Sequence, residues 1–139
     1  MNSFNTNHES FYFHHIGSIT PNLGISEKIF SNFGFVFNND RFFDPIQEVN
    51  LSFGKNNMGV LLELVEPLKN SKIENLLQRN GPGPYHLCFE VNSIMEQEKK
   101  LNKRGFICVA KPKKAIAFEN RHVAFYYSTN DGLIELLEK

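Results

Sequence analysis

The sequence predicts an α+β fold made of two tandem βαβββ modules packed into a single domain. Landmarks recur along the chain. His15 and His86 lie 71 residues apart, as do Gly34-Phe35 and Gly105-Phe106, and the pairs Phe53/Phe125 and Glu63/Glu135 lie 72 apart. The same succession of patterns runs through each copy: an aromatic and β-branched stretch, a helical stretch, then three further strand-like runs. A half of about 60 residues is too small to bury its own sheet, so the two halves must pair.

The elements follow in order. Residues 1–10 are polar and predict a flexible tail, which leaves one domain over 11–139: module one at 11–67, a linker at 68–83 and module two at 84–139. Phe13-His14-His15-Ile16-Gly17 lies in a strand over 11–19, and Pro84-Tyr85-His86-Leu87-Cys88 opens its counterpart over 84–91. A helix follows from about Ser26 to Phe33 and stops at Gly34. In the second copy Ser93-Ile94-Met95-Glu96 has the capping-box pattern, and Gly105 stops that helix. Three strands close each module, over 35–37, 49–54 and 59–66 and over 106–110, 121–127 and 132–138. Asn56-Asn57 and Asn130-Asp131-Gly132 supply the turns between the last two strands of each module. The linker holds a short helix over Ile73–Gln78 and a Gly81-Pro82-Gly83-Pro84 break.

Composition narrows the partners. Hydrophobic residues are 41% and charged residues 22%, which excludes a disordered chain. Lys plus Arg and Asp plus Glu both number 15, and this balance argues against nucleic-acid binding through many phosphates. No apolar run is long enough for a membrane span. The first ten residues lack a secretion-signal pattern, and Cys88 and Cys108 lack CxxC spacing; together these predict a cytoplasmic protein without a disulfide framework. Phe numbers 14 and Trp 0, so the aromatic area comes mostly without polar handles and the chemistry falls to few residues. Of these, Phe30, Phe33, Phe35 and Phe37 read as packing around the first helix.

Strand parity picks out those few. In the run from Val60 to Glu66, Leu62 and Leu64 point one way while Leu61, Glu63 and Val65 point the other. Both faces are apolar, so Glu63 is a carboxylate on a covered face, and Glu135 between Leu133 and Leu137 repeats the arrangement. A carboxylate there must be paired or bound to a metal. His86 shares a face with Cys88 and Glu90 and has His15 as its repeat counterpart, whereas by parity His14 and Tyr85 point away. Two His and two Glu converging across a pseudo-twofold axis form an N₂O₂ set suited to one divalent ion, with room left for water or substrate. Ni, Co, Mn, Zn and Mg all accept such ligands. Weaker candidates are the loop Lys111-Pro112-Lys113-Lys114, in which Lys113 could reach an anionic group, and Asn120 and Arg121 at a cleft mouth.

His15-Ile16-Gly17, the run 62–67, Tyr85-His86-Leu87-Cys88-Phe89-Glu90-Val91 and Leu133-Ile134-Glu135-Leu136 resemble the vicinal-oxygen-chelate superfamily. The resemblance runs over about residues 11–139 and is nearest to methylmalonyl-CoA epimerases and glyoxalase I-like lyases. It implies a curled, incomplete eight-stranded barrel around one metal held by His15, Glu63, His86 and Glu135. The implied chemistry is proton transfer next to a carbonyl through a metal-stabilised enolate, with Glu135 and Glu63 moving the proton. Implied substrates are an acyl-CoA thioester or, for a lactoylglutathione lyase-like enzyme, a thiol–ketoaldehyde adduct; a homodimer is also implied. The epimerase pattern expects a second carboxylate near Leu51, where the nearest acid is Glu48. A non-catalytic binding or resistance module of the same fold commonly lacks the full ligand set, and a ring-cleaving dioxygenase uses two His and one carboxylate around iron.

Overall fold

The computed structural model describes residues 10–139, so the tail expected over 1–10 lies outside the described residues except for Ser10. Module one comprises β1 (Tyr12–Ile19), α1 (Leu23–Ser31), β2 (Val36–Asp44), β3 (Val49–Lys55) and β4 (Leu61–Pro67). A linker helix α2 (Lys72–Asn80) leads to β5 (Gly83–Val91), α3 (Ile94–Lys103), β6 (Ile107–Ala115), β7 (Arg121–Ser128) and β8 (Gly132–Glu138). A 3-10 turn, Ile116–Phe118, precedes β7. The eight strands form one sheet in the order β2-β3-β4-β1-β5-β8-β7-β6: the paired modules that the repeat predicts, in the half-barrel that the resemblance implies. Each module joins its first and last strands in parallel, β1 to β4 and β5 to β8, and the antiparallel ladder between β1 and β5 joins the modules.

The two faces divide as parity requires. Leu62 and Leu64 pack with Leu23 of α1, and Ile134 and Leu136 pack with Ile94 and Leu101 of α3, so the helices cover one face. On the other, inner face, Val65 packs with Val49 and Leu51, and Leu137 packs with Cys88 and Val123. No helix among the described residues is long and apolar enough to cross a membrane.

The helices begin and end by matched devices. Ser93 caps α3 by accepting the Glu96 N–H, and Ser71 caps α2 by accepting the Glu74 N–H. The first helix starts at Leu23 rather than Ser26, because Asn22 Oδ1 accepts the Ile25 N–H at 2.9 Å and caps it three residues earlier. Ser26 instead bonds Thr20 through its hydroxyl at 2.7 Å. Both α1 and α3 end in a left-handed glycine, Gly34 (φ 90°) and Gly105 (φ 87°). In both, the next amide reaches back to the last turn, Phe35 N–H to Phe30 O and Phe106 N–H to Leu101 O, each at 3.1 Å. The structure adds a second repeat-matched device. Glu66 at the end of β4 accepts the Leu23 N–H at 2.9 Å, and Glu138 at the end of β8 accepts the Ile94 N–H at 2.8 Å. Each last strand thereby holds the first free amide of its module's helix.

Two strands are longer than their sequence suggests, and both are edges of the sheet. Polar Asn38, Asn39, Asp40 and Arg41 conceal the second half of β2, which crosses them with a register shift and a left-handed Asn39 (φ 61°). The Lys111-Pro112-Lys113-Lys114 segment, read as a loop, is part of β6; the ladder with β7 shifts between Ala110 and Lys113 around the proline. An edge strand accepts a proline and charges that an inner strand would not. Phe30, Phe35 and Phe37 pack beside Leu23, but Phe33 is 68% exposed and lies outside the core expected for it.

Replacing Glu138 by Ala removes the cap on Ile94 while leaving strand pairing intact. The expected result is a loss of about 1 kcal/mol and a fall in Tm of about 4 °C by thermal unfolding.

Candidate metal centre

The centre is built where β1 and β5 meet. Opposite one another in this ladder stand Phe13 and Phe89, then His15 and Cys88, so His14 is an extra residue on β1. Further along, Gly17 faces His86 and Ser18 faces Pro84, so Tyr85 is the extra residue on β5. Each module thus carries a β-bulge one residue before its histidine. A bulge breaks the two-residue alternation, and this overturns the parity reading that turned His14 and Tyr85 away. His14 Nδ1 bonds His15 Nδ1 at 2.8 Å, and the Tyr85 ring meets the His86 ring edge-on, with centroids 4.5 Å apart.

The four repeat-matched residues come together within one chain, all buried, with donor atoms within 4.8 Å of one another. The Nε2 atoms of His15 and His86 face each other at 3.2 Å. His15 Nε2 lies 3.6 Å from Glu63 Oε2 and 3.4 Å from Glu135 Oε2. His86 Nε2 lies 3.8 Å from Glu63 Oε1 and 2.8 Å from Glu135 Oε2. One divalent ion at about 2.0–2.2 Å from each donor holds neighbouring donors roughly 3.0–3.5 Å apart, so this set fits a single ion. Its two imidazole nitrogens and two carboxylates are the donor types that bind borderline divalent metals.

Three further groups shape the centre. Gly17 lies against His86, and a Cβ at Gly17 would fall 2.1 Å from its Cε1, so the imidazole occupies space that only glycine leaves. His86 Nδ1 has no hydrogen-bond partner among the described residues, and packing against Gly17 and Tyr85 sets its ring in place of a bond. Phe118 stacks on His15, with centroids 5.5 Å apart and planes 22° apart.

The carboxyls are electrostatically unlike. Burial pushes Glu63 up to about 8, opposed by His15 and reinforced by Glu135 and Asp44. Burial also acts to raise Glu135, but His15 and His86 outweigh it and hold the group well below the usual carboxylate range. Burial and the two carboxyls push the Tyr85 hydroxyl up, and burial does the same to the Cys88 thiol. Half-buried His14 is held towards its neutral form by burial and by His15.

The weaker candidates lie around this group. Arg121 pairs with Glu90 at 2.7 Å and borders an open cleft of about 330 Å³ with Ala117, Phe118 and Glu119. Asn120 is exposed and left-handed (φ 62°). Lys113, half buried, stands opposite Val123 and so shares the inner face. Cys88 belongs to the core with Val123 and Leu137 as well as lying beside His14 and His15. Leu51 is a buried inner-face residue, and Glu48 is exposed in a left-handed turn (φ 57°), away from the core. Sequence reasoning missed Phe118, visible there only as one Phe among many, and Asp44. Asp44 is fully buried and accepts the Ile46 and Gln47 amides.

A half-barrel of paired βαβββ modules, with a His and a Glu from each meeting at the seam, has the architecture of the vicinal-oxygen-chelate class. The chain belongs to the Glyoxalase/Bleomycin resistance protein/Dioxygenase superfamily, whose pattern matches residues 14–125. A hypothetical protein from Bacillus halodurans shares the fold at 24% identity and a TM-score of 0.81, over 94% of this chain and 96% of that one. Methylmalonyl-CoA epimerase from Mycobacterium tuberculosis does so at 20% identity and 0.77, over 91% and 87%. A variant of the Streptomyces coelicolor methylmalonyl-CoA epimerase, in complex with 2-nitronate-propionyl-CoA, does so at 18% and 0.77, over 94% and 99%. No curated protein matches the chain.

Replacing Gly17 by Ala puts a methyl group into the His86 ring with no backbone penalty. Isothermal titration with a divalent metal should show affinity weakened by about 10–100-fold, while circular dichroism stays that of the folded parent.

Proposed function

We propose that this protein is a metal-dependent isomerase or lyase that moves a proton next to a carbonyl, with methylmalonyl-CoA epimerase-like chemistry on an acyl-CoA thioester as the favoured form. The observation that carries the reading is the convergence of His15, Glu63, His86 and Glu135, a full ligand set drawn equally from the two modules. Non-catalytic members of this fold commonly lack part of that set, and a two-His-one-carboxylate iron site has one acid fewer. A divalent ion held by these four residues would supply Lewis-acid stabilisation of negative charge on a substrate carbonyl oxygen.

The chain's own groups do the rest. In this reading Glu135, held ionised by His15 and His86, takes the proton from the carbon beside the carbonyl at a carboxylate oxygen. Glu63, the matching carboxyl from the other module, is the second group of the centre able to carry a proton to or from the substrate. The apolar wall of Val49, Leu51, Val65 and Phe53 keeps water from competing for the carbanionic carbon. Half-exposed Arg121 and Lys113, with Asn120 near them, are the candidates to meet an anionic part of the substrate.

One observation favours the second reading, a glyoxalase I-like lyase on a thiol–ketoaldehyde adduct. The position where the epimerase pattern expects another carboxylate holds buried Leu51, and the inner-face acid near Glu63, Asp44, is committed to backbone amides. Proton transfer then falls to Glu63 and Glu135 alone.

Elemental analysis should find about one divalent ion per chain, lost in Glu135→Ala; purified protein that binds no ion with all four residues intact sinks the catalytic reading. Solvent deuterium should enter methylmalonyl-CoA at a rate that Glu135→Gln lowers by about 10²–10⁴-fold. Exchange absent there, with turnover of the methylglyoxal–thiol adduct present, selects the lyase instead.

A further inference from the structure

The four residues of the centre are between 0% and 5% exposed, so in this arrangement nothing larger than an ion reaches them. What closes the inner face over His15 is the loop between β6 and β7. Its 3-10 turn ends in Phe118, which stacks on His15 and meets both His14 and Phe53 edge-on, at 5.5 and 5.7 Å between centroids. The same Phe118, with Ala117, Glu119 and Arg121, lines the open cleft. Phe118 therefore touches both that cleft and the imidazole of His15.

The loop is held at its two ends by few contacts. Its neck is pinned by the Asn120 N–H bonding Ala115 O at 3.0 Å. Glu119 (φ 56°) and Asn120 (φ 62°) are consecutive non-glycine residues in the left-handed region, a conformation that stores strain at the junction with β7. One tie runs from this junction across β8 to β5 of the same module. Arg121 Nε donates to Phe118 O at 3.4 Å, and Arg121 Nη1 donates to Glu90 Oε2 on β5 at 2.7 Å. The guanidinium is about one-third exposed at the cleft, so an incoming anionic group can reach it.

We infer that Phe118 is the residue that decides what reaches the four-residue centre, and that the Arg121–Glu90 pair is the latch that holds it shut. The inference deepens the reading of the centre as a substrate site. An anionic substrate that enters the cleft competes with Glu90 for Arg121, frees the Phe118 carbonyl and lets the ring swing away from His15. Substrates without an anionic group gain no such entry.

The test uses the metal-free protein, so it stays readable if no ion binds and only the proposed function fails. Modification by diethyl pyrocarbonate, resolved by peptide mass spectrometry, reports the access of each imidazole, with exposed His122 as the internal reference. In the parent, His15 and His86 should react far more slowly than His122. Phe118→Ala should speed both by about tenfold or more, Phe118→Leu should leave them near the parent rate, and Arg121→Gln should fall between. Circular dichroism of each variant confirms that it is folded, and part-exposed Arg121→Gln carries the test if the alanine variant is not, a parent-like rate there overturning the latch. Parent histidines that react as fast as His122 would overturn the inference. So would an Ala variant no faster than the parent, or a Phe53→Ala variant that opens the centre equally.

Discussion

In the sheet order the ladder between β1 and β5 is the one junction between the modules, and the site depends on its register. It sets His15 opposite Cys88 and Gly17 opposite His86, which brings the two imidazoles within 3.2 Å while each strand's parallel partner supplies a glutamate. A slip of one residue would send each histidine to the helix-covered face. The two bulges, at His14 and Tyr85, fix that register from both sides and raise the local twist that curls the sheet. Gly17 completes the junction, because the strands can bring His86 across only where β1 has no side chain.

Such a junction gathers four ionisable groups out of water, which is costly unless charges compensate. The short contact between His86 and Glu135 provides part of the compensation, and the raised Glu63 carboxyl shows the remainder, since a proton there removes one buried negative charge. A dication would complete the balance with both carboxylates ionised. The aromatic collar of Phe53, Phe118 and Tyr85 keeps the effective dielectric low, so every charge interaction at the centre is strengthened.

Much of this was legible in the chain. The duplication identified His15, Glu63, His86 and Glu135 without any knowledge of their contacts, because a pattern repeated at 71–72 residues isolates the matched polar residues from the rest. Helix α3 was clear because Ser93 and Gly105 act locally, through amides within a turn of themselves. What escaped depends on partners distant in sequence. Glu66 and Glu138 look like solvent-facing strand ends until α1 and α3 fold back onto them. The bulges exist only in the pairing of β1 with β5, so neither strand alone discloses that His14 and Tyr85 change sides. Phe118 gains its role from a loop whose course no local preference sets.

The interrupted edges have a consequence of another kind. An open half-barrel leaves β2 and β6 each with a free side, a template on which another chain could extend the sheet. Both are broken in mid-strand, β2 around left-handed Asn39 and β6 around Pro112 with exposed Lys111 and Lys114 beside it. The lysines first read as an anion-binding loop thus also guard against aggregation. Edge-to-edge pairing between copies of this chain is thereby disfavoured, and the open sheet resists fibre growth without having to close into a barrel.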